Sequence, residues 1–503
     1  MIYTLLFIVV VTVIFYIRRK YSYWERKDVP GPKPWPFFGN IFHSFTNRRT
    51  VGQIFREIYG KYDEYPLVGA YRTSDPVLIV RDPEFINRIF VKDSKSFFNN
   101  DFFVDKELDP LQGASPFVQK DEAEWRGTRK MLSPGFTSGK IKSLFALIEQ
   151  VNLRLLTYLE SQPDISTGHT LETQNLCRRY TLDNVALAAF GIDGKCFDND
   201  ESDFMKLANS FIAPGTFALS MVQMFPLISN LISLKFIPRE VENALIKIIT
   251  AALKYRKKNK VVVNDYLQFI SELEDKKGLN YTEITAHATT FFEDGYETSA
   301  IVMSYVLFNL ARNQEAQDRI RSEIKCFEER NSTKKIAYED LADMSYLNAC
   351  IYESMRLSPV LEHFTRICNQ PYIYTTASES PGHLQKMTVN IDPGTVCIIP
   401  FGGLCHDKRY FSEPETFQPE RFLDNNAFKE VFYPFGGGHR ICLGQRFGIM
   451  QVRRGVIEVI KHFQVTYNNK TKLPFEFLPW TVLNKVKHGV WLTYKRYNCS
   501  QTN

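Results

Sequence analysis

The sequence lacks several common catalytic signatures. It has no CxxC pair and no HExxH, so zinc knuckles and zincin sites are excluded. It has no Gly-Lys-Ser/Thr phosphate loop and no GxGxxG fingerprint, so it carries no nucleotide-binding domain of its own. Its cysteines number nine, an odd count with no paired spacing, which argues against a disulfide framework and for a reducing compartment. Charge of one sign is also missing. With 62 Lys and Arg against 56 Asp and Glu, the net +6 is too small and too dispersed for a nucleic-acid binder. There is no internal repeat and no second linker after residue 40. What is present is 44% hydrophobic residues and 40 Phe in 503 residues, enough for one large apolar core or pocket.

Residues 1–17 read MIYTLLFIVVVTVIFYI without a charge, and Arg18, Arg19 and Lys20 follow. Seventeen helical residues cover about 25 Å, slightly short of a hydrocarbon core of roughly 30 Å. Tyr21, Tyr23 and Trp24 are expected at the headgroups, completing the span. No basic region precedes the run and no small-residue cleavage site follows, so it is expected to be an uncleaved single-pass anchor rather than a signal peptide. The basic cluster behind it puts the rest of the chain on the cytosolic side. Residues 1–20 are thus read as anchor and 21–40 as a basic, proline-rich strap. Pro30, Pro32, Pro34 and Pro36 stiffen that strap.

Residues 41–503 are read as one domain, mainly α with a smaller β part. Pro76–Val80 is strand-like, and Asp82-Pro83 opens a helix as cap and first-turn residue. Helical patterns dominate from about 120 to 360, the longest running from Thr282 to Leu310. Short β-rich stretches lie around 360–400 and 465–496. The basic run Lys254 to Lys260 is read as a solvated face.

The densest chemistry lies at Phe435-Gly436-Gly437-Gly438-His439-Arg440-Ile441-Cys442-Leu443-Gly444. Without the context of a phosphate loop, this reads as a turn presenting one thiolate to a metal. Glycines permit close backbone approach to a flat ligand. Arg440 offers a cation to a carboxylate, and the apolar helix that follows stabilises thiolate charge at its N-terminus. Glu353 and Arg356 are i, i+3 on one helix, and Trp125 and Arg129 are i, i+4 on another. Phe291, Gly295 and Thr298 share a face of the longest helix, where the missing side chain of Gly295 leaves room beside the Thr298 hydroxyl.

Phe435–Gly444 fits FxxGxRxCxG, so the sequence resembles the cytochrome P450 superfamily. Glu353–Arg356 matches ExxR, Pro419–Phe422 matches the segment completing a Glu-Arg-Arg network, and Trp125–Arg129 matches WxxxR. Asp294–Ser299 matches the oxygen-activation segment. The anchor and strap look like the microsomal type, with a flavour similar to arthropod xenobiotic-metabolising members. The resemblance implies the cytochrome P450 fold and haem b with Cys442 as axial ligand. Trp125, Arg129, Arg366 and Arg440 fall at propionate positions, and Phe435 and Gly444 are implied as further haem-binding residues of the loop. Thr298 and Glu297 deliver protons. Glu353, Arg356 and Arg421 form a structural network. Phe291, Asp294, Gly295, Leu361 and Thr481 line a substrate pocket, together with the segments Phe102–Phe117 and Phe211–Phe225.

The implied activity is insertion of one oxygen atom of dioxygen into a lipophilic small molecule, a xenobiotic, hormone or fatty acid. Electrons come from NADPH through a separate NADPH–cytochrome P450 reductase, with cytochrome b5 as a further donor, at the endoplasmic reticulum membrane. Arg126 and Lys130 are candidate docking cations. Two rivals are a reductase-independent haem-thiolate isomerase or dehydratase and a haem protein that only sequesters ligands. Both are disfavoured by the Glu297-Thr298 pair. Asp294 departs from the small residue usual before the glycine. It either tilts off the pocket, recognises a polar or cationic substrate group, or bonds the haem as a Glu does in fatty-acid-hydroxylating relatives.

Overall fold

The structure, a computed structural model, describes residues 2–102, 104–198, 202–211, 235–333, 335–376, 384–424, 428–479 and 481–497. Most of the expected pocket segment Phe211–Phe225 lies outside these residues. The hydrophobic start of the chain forms helix α1 (Ile2–Tyr21). Its apolar side chains are exposed, among them Tyr3, Leu5, Phe7 and Phe15. Among the described residues, no helix is long and apolar enough to cross a membrane.

The expected strap does not hang free. The Trp24 side chain is buried and its Nε1 donates to the Ala70 carbonyl at 3.0 Å. A Cβ on Gly69 would lie 2.3 Å from the Trp24 ring, so a glycine is needed where the indole docks. Trp24 is therefore part of the globule rather than a headgroup anchor. Burying an indole on protein while its N–H finds a carbonyl outweighs leaving it at an interface. Tyr23 and Lys27 both reach Asp392, at 2.7 Å each.

Strands β1 (Leu67–Arg72) and β2 (Asp75–Val80) form a hairpin. Val77 to Val80 are all fully buried, as the continuous apolar run of a strand covered on both faces requires. β2 then pairs in parallel with a strand from far along the chain. The remaining strands are β3 (His169–Glu172), β4 (Phe364–Ile367), β5 (Tyr372–Thr375), β6 (Thr388–Ile391), β7 (Val396–Ile399), β8 (Phe463–Tyr467) and β9 (Trp491–Arg496). They form three sheets, ordered β1-β2-β7-β4, β3-β9-β8 and β5-β6. Both ends of the chain thus contribute to the β part. Asp82 caps the short helix Pro83–Asn87 through the Glu84 amide at 3.0 Å.

The rest is mainly helical. The elements around the site are α2 (Glu122–Leu132), α3 (Ser138–Glu160), α4 (Thr173–Phe190), α5 (Tyr281–Ala311), α6 (Ser345–Leu357) and α7 (Gln445–His462). The central helix α5 starts with a reciprocal cap. Asn280 accepts from the Glu283 amide at 3.0 Å and Glu283 accepts from the Asn280 amide at 2.9 Å. Packed on α4 and α7, α5 is buried from Ile284 to Ala311 except at Thr290, Glu293, Asp294, Gly295 and Thr298.

Candidate active site

That exception locates the site. Thr290, Asp294 and Thr298 follow at i, i+4 and i+8, one face of a helix otherwise enclosed by protein. An unburied stripe in the middle of a core helix borders an internal space. Phe291 is not on it. It turns into a cluster with Tyr266, Phe447 and Phe136, ring centroids 4.6, 5.0 and 5.6 Å away. Gly295 also serves packing: a Cβ there would lie 3.0 Å from Val185 Cγ2 of α4. One residue advances roughly 100° around a helix, so Gly295 and Phe291 face the neighbouring helices while Asp294 faces the space.

Cys442 borders the same space. Its side chain is accessible although protein surrounds the loop. Burial pushes the thiol up to about 11, with the Asp294 charge adding to it, while the Gly444 N–H and Arg129 pull it down. Asp294 and Arg129 are thus both near enough to act on the sulfur, with opposite sign. The loop is set by the Cys442 N–H donating to the Phe435 carbonyl at 3.0 Å. Two of its glycines are required by a neighbouring segment. A Cβ on Gly438 (φ +70°) would lie 1.7 Å from the Phe90 carbonyl oxygen, and one on Gly437 2.7 Å from the Phe90 ring.

Around the loop, cations gather with no carboxylate paired to them among the described residues. Arg440 is held by the carbonyls of Phe98, Gln119 and Pro116 at 2.8, 2.8 and 3.1 Å, and its guanidinium lies over Phe98 and Trp125. Arg129 donates to the Ile441 carbonyl at 2.6 Å. Arg366, on β4, bonds the Thr365 carbonyl at 2.8 Å, but its buried Nε has no partner among the described residues. Burial lowers Arg366 to about 9, with Arg440 adding, and lowers Arg440 to about 10, with Arg129 adding. His439 joins them. Its ring stacks on Phe98 at 5.1 Å and meets the buried Trp125 edge-on at 5.3 Å, and neither ring nitrogen makes a well-formed hydrogen bond among the described residues. Three guanidinium groups held only by neutral carbonyls, with Arg366 Nε and the His439 nitrogens unpartnered among the described residues, suit an anionic ligand. His439 was missed in the sequence because a lone histidine in a glycine turn has no spacing signal.

Thr298 donates its hydroxyl to the Asp294 carbonyl at 2.9 Å. Glu297 points elsewhere. Its Oε1 accepts from Lys485 at 2.8 Å, and its buried Oε2 has no partner among the described residues. It faces a polar cavity of about 300 Å³ lined also by Gln174, Arg178 and His488. Lys485 lay outside the motifs and is brought in by the loop before β9. That loop is tied down by Asn484, which bonds the Pro359 carbonyl at 2.8 Å and Glu362 at 3.0 Å, so it brings Thr481 toward the segment of Leu361. Thr481 itself bonds the Leu483 carbonyl at 2.7 Å.

Behind the loop lies a buried ion pair. Arg356 Nε and Nη2 bond the two oxygens of Glu353 at 2.7 and 2.8 Å, both side chains fully enclosed. Arg356 also bonds the carbonyls of Cys405 and Pro414 at 2.7 Å each, and Glu353 accepts the Gln418 amide at 2.9 Å. Arg421 approaches Glu353 at 3.5 Å as an ion pair.

A family model for cytochrome P450 matches residues 29–492. Similar curated proteins are insect members. The chain is 31% identical to "Probable cytochrome P450 28a5" of Drosophila melanogaster, over 95% of each chain. It is 30% identical to "Cytochrome P450 6a2" of the same fly, over 95% of this chain and 96% of the relative. It is 29% identical to "Cytochrome P450 6j1" of Blattella germanica, over 96% and 95%.

Proposed function

The chain belongs to the cytochrome P450 family, and from that premise we propose how its own residues serve the family's monooxygenase chemistry. The protein is a cytochrome P450 monooxygenase that binds haem through a cysteine thiolate. Cys442 is that ligand. The residues present fit the group: Arg366 Nε and the His439 ring nitrogens are buried without a partner among the described residues, and with Arg129, Arg440 and Trp125 beside them they would hold two propionates. When bound, the haem activates dioxygen, one atom going to the substrate and the other to water.

Thr298 places a hydroxyl at the distal space, and Glu297 collects protons from the polar cavity with Lys485 holding one of its oxygens. Glu353, Arg356 and Arg421 fix the approach to the Cys442 loop. The substrate is a lipophilic small molecule. Asp294, on the unburied stripe with no side-chain partner shown among the described residues, recognises a polar or cationic group on it. Electrons come from NADPH through a separate reductase, with cytochrome b5 as a second donor. Arg126 is engaged by Glu122 at 2.6 Å, so exposed Lys130 carries more of any docking charge. α1 holds the protein at the endoplasmic reticulum membrane with the globule on the cytosolic face. Its exposed apolar surface supports this reading, because such a surface needs lipid or protein to cover it.

The observation that carries the proposal is the cation set around Cys442, with no carboxylate paired to it among the described residues, facing the unburied stripe of α5. The experiment is a comparison of wild type with Cys442→Ala. Wild type gives the red-shifted ferrous–carbonyl Soret band and, with reductase and a panel of lipophilic compounds, NADPH-dependent oxygen uptake. The variant gives neither. A variant that keeps the band rejects Cys442. A wild type with the band but no oxygen uptake favours the isomerase or sequestering reading.

A further inference from the structure

Gln451 lies on α7, nine residues beyond Cys442, and is fully buried. Its amide nitrogen donates to the Gly295 carbonyl and to the Ser299 hydroxyl, both at 2.8 Å. These acceptors are one helical turn apart on α5 and bracket Thr298. The Gln451 carbonyl oxygen, by contrast, is buried and has no partner among the described residues. An orphaned buried acceptor is costly, and an apolar side chain of similar volume would avoid the cost. Packing alone would therefore favour methionine or leucine at this position. What the amide adds is a pair of donors aimed at one turn of α5.

The surroundings make that contact rigid. A Cβ on Gly448 would come to 3.4 Å from Ser299 Oγ. One on Gly455 would come to 2.6 Å from both Met303 Cε and Tyr180 Cε1. These glycines, flanking Gln451 on α7, let α5 and α4 approach closely. Gly295 is thus gripped from two sides, with Val185 of α4 against its Cα and Gln451 of α7 on its carbonyl. The Tyr180 hydroxyl lies 2.9 Å from Asn152 Oδ1 and 3.1 Å from the Gln451 backbone carbonyl, so α3 and α4 brace the same point of α7.

We propose that Gln451 is a positioning residue for oxygen activation. It ties the turn of α5 that carries Thr298 to the helix that begins at the Cys442 loop. The hydrogen-bonded strut, added to the packing around it, then fixes where the Thr298 hydroxyl stands relative to the thiolate. The inference rests on the monooxygenase reading above.

The test uses the full chain with haem, reductase and NADPH, on whichever compound of the lipophilic panel wild type turns over best. Gln451→Met removes the donors and keeps the volume. The expected result is an unchanged ferrous–carbonyl band, an unchanged melting temperature, and about threefold less product per NADPH with the difference released as hydrogen peroxide, since small misplacements at a reacting centre are costly. Turnover driven by an organic hydroperoxide, which needs no proton delivery to dioxygen, stays at the wild-type rate. Adding Thr298→Ala lowers the yield no further than Thr298→Ala alone, because residues acting as a unit are not additive. An unchanged product yield overturns the proposal, and so does an equal loss with NADPH and with hydroperoxide. Should Gln451→Met not hold haem, Ser299→Ala decides. It removes one acceptor and little volume, and an unchanged yield there overturns the proposal. A wild type without NADPH-driven product defeats the functional reading instead.

Discussion

Asp294 shows how much a single side chain decides. Burial raises its carboxyl to about 6, on the stripe that faces Cys442. Glu293 beside it is pushed up as well, first by burial and then by the charges of Asp294 and Asp109. No cation is placed against Asp294 by the described residues, so a cationic substrate group gains where a neutral one does not. Asp294→Asn is expected to weaken the binding of a lipophilic amine about tenfold, about 1.4 kcal/mol, and to leave its neutral carbon isostere unchanged. Soret shifts on titration measure both. The sign with pH follows. Below about 6 the carboxyl is neutral and the attraction is lost, so amine affinity rises as pH rises through that value and the Asn variant loses the step. Equal losses for amine and isostere would sink the idea. At the neighbouring position, Thr298→Ala is expected to keep haem but lower product per NADPH, with peroxide released. An unchanged ratio would remove Thr298 from proton delivery.

At the scale of elements, α6 and α5 differ in how readable they were. The Glu353–Arg356 pair was legible because i, i+3 spacing on an apolar helix fixes both partners within one element. Its depth adds a prediction. Both groups are fully enclosed, so Glu353→Gln strands a buried guanidinium. Breaking one side of such a pair costs roughly 3–5 kcal/mol. The expected outcome is a lower melting temperature and loss of haem during purification, read by absorbance per protein. A variant as stable as wild type would show that the carbonyls of Cys405 and Pro414 suffice for Arg356. On α5, the existence, length and cap of the helix were legible, but its rotation was not. Polar residues fall on several faces of 284–298, among them His287, Glu293, Asp294, Glu297 and Thr298, so they did not single out the stripe that met the cavity. That placed Phe291 on the pocket side, whereas the aromatic rings of three other segments claim it. His439, Lys485 and Gln451 were silent for a related reason. Their partners lie on other elements, and nothing local announces them. Gly437 and Gly438 were read for their approach to a flat ligand, and the neighbour that requires them is Phe90, some 350 residues earlier.

For the whole molecule, the question is how the globule sits relative to α1. The apolar stretch of α1, 2–17, is 16 residues, about 24 Å of helix against a hydrocarbon core of roughly 30 Å. Trp24 cannot extend it, since the indole is docked on β1. Only Ser22 and Tyr23 separate the end of α1 from that dock, and Tyr71 bonds the Tyr21 carbonyl at 2.7 Å. The prolines beyond add no slack, because they come after the docking point. α1 and the β1-β2-β7-β4 sheet thus form one connected piece, which holds the globule close against whatever surface receives α1. Deleting residues 2–21 is therefore expected to move most of the protein from the membrane pellet to the supernatant with its ferrous–carbonyl band intact, because Trp24 and everything it touches remain. Sedimentation in high salt with absorbance of both fractions measures it. Protein that stays wholly in the pellet would mean that a second apolar surface also binds. The exposed Tyr255 and Val262, beside the basic run 254–260, are where charge reversal of Lys254, Lys257 and Lys258 would then be made first.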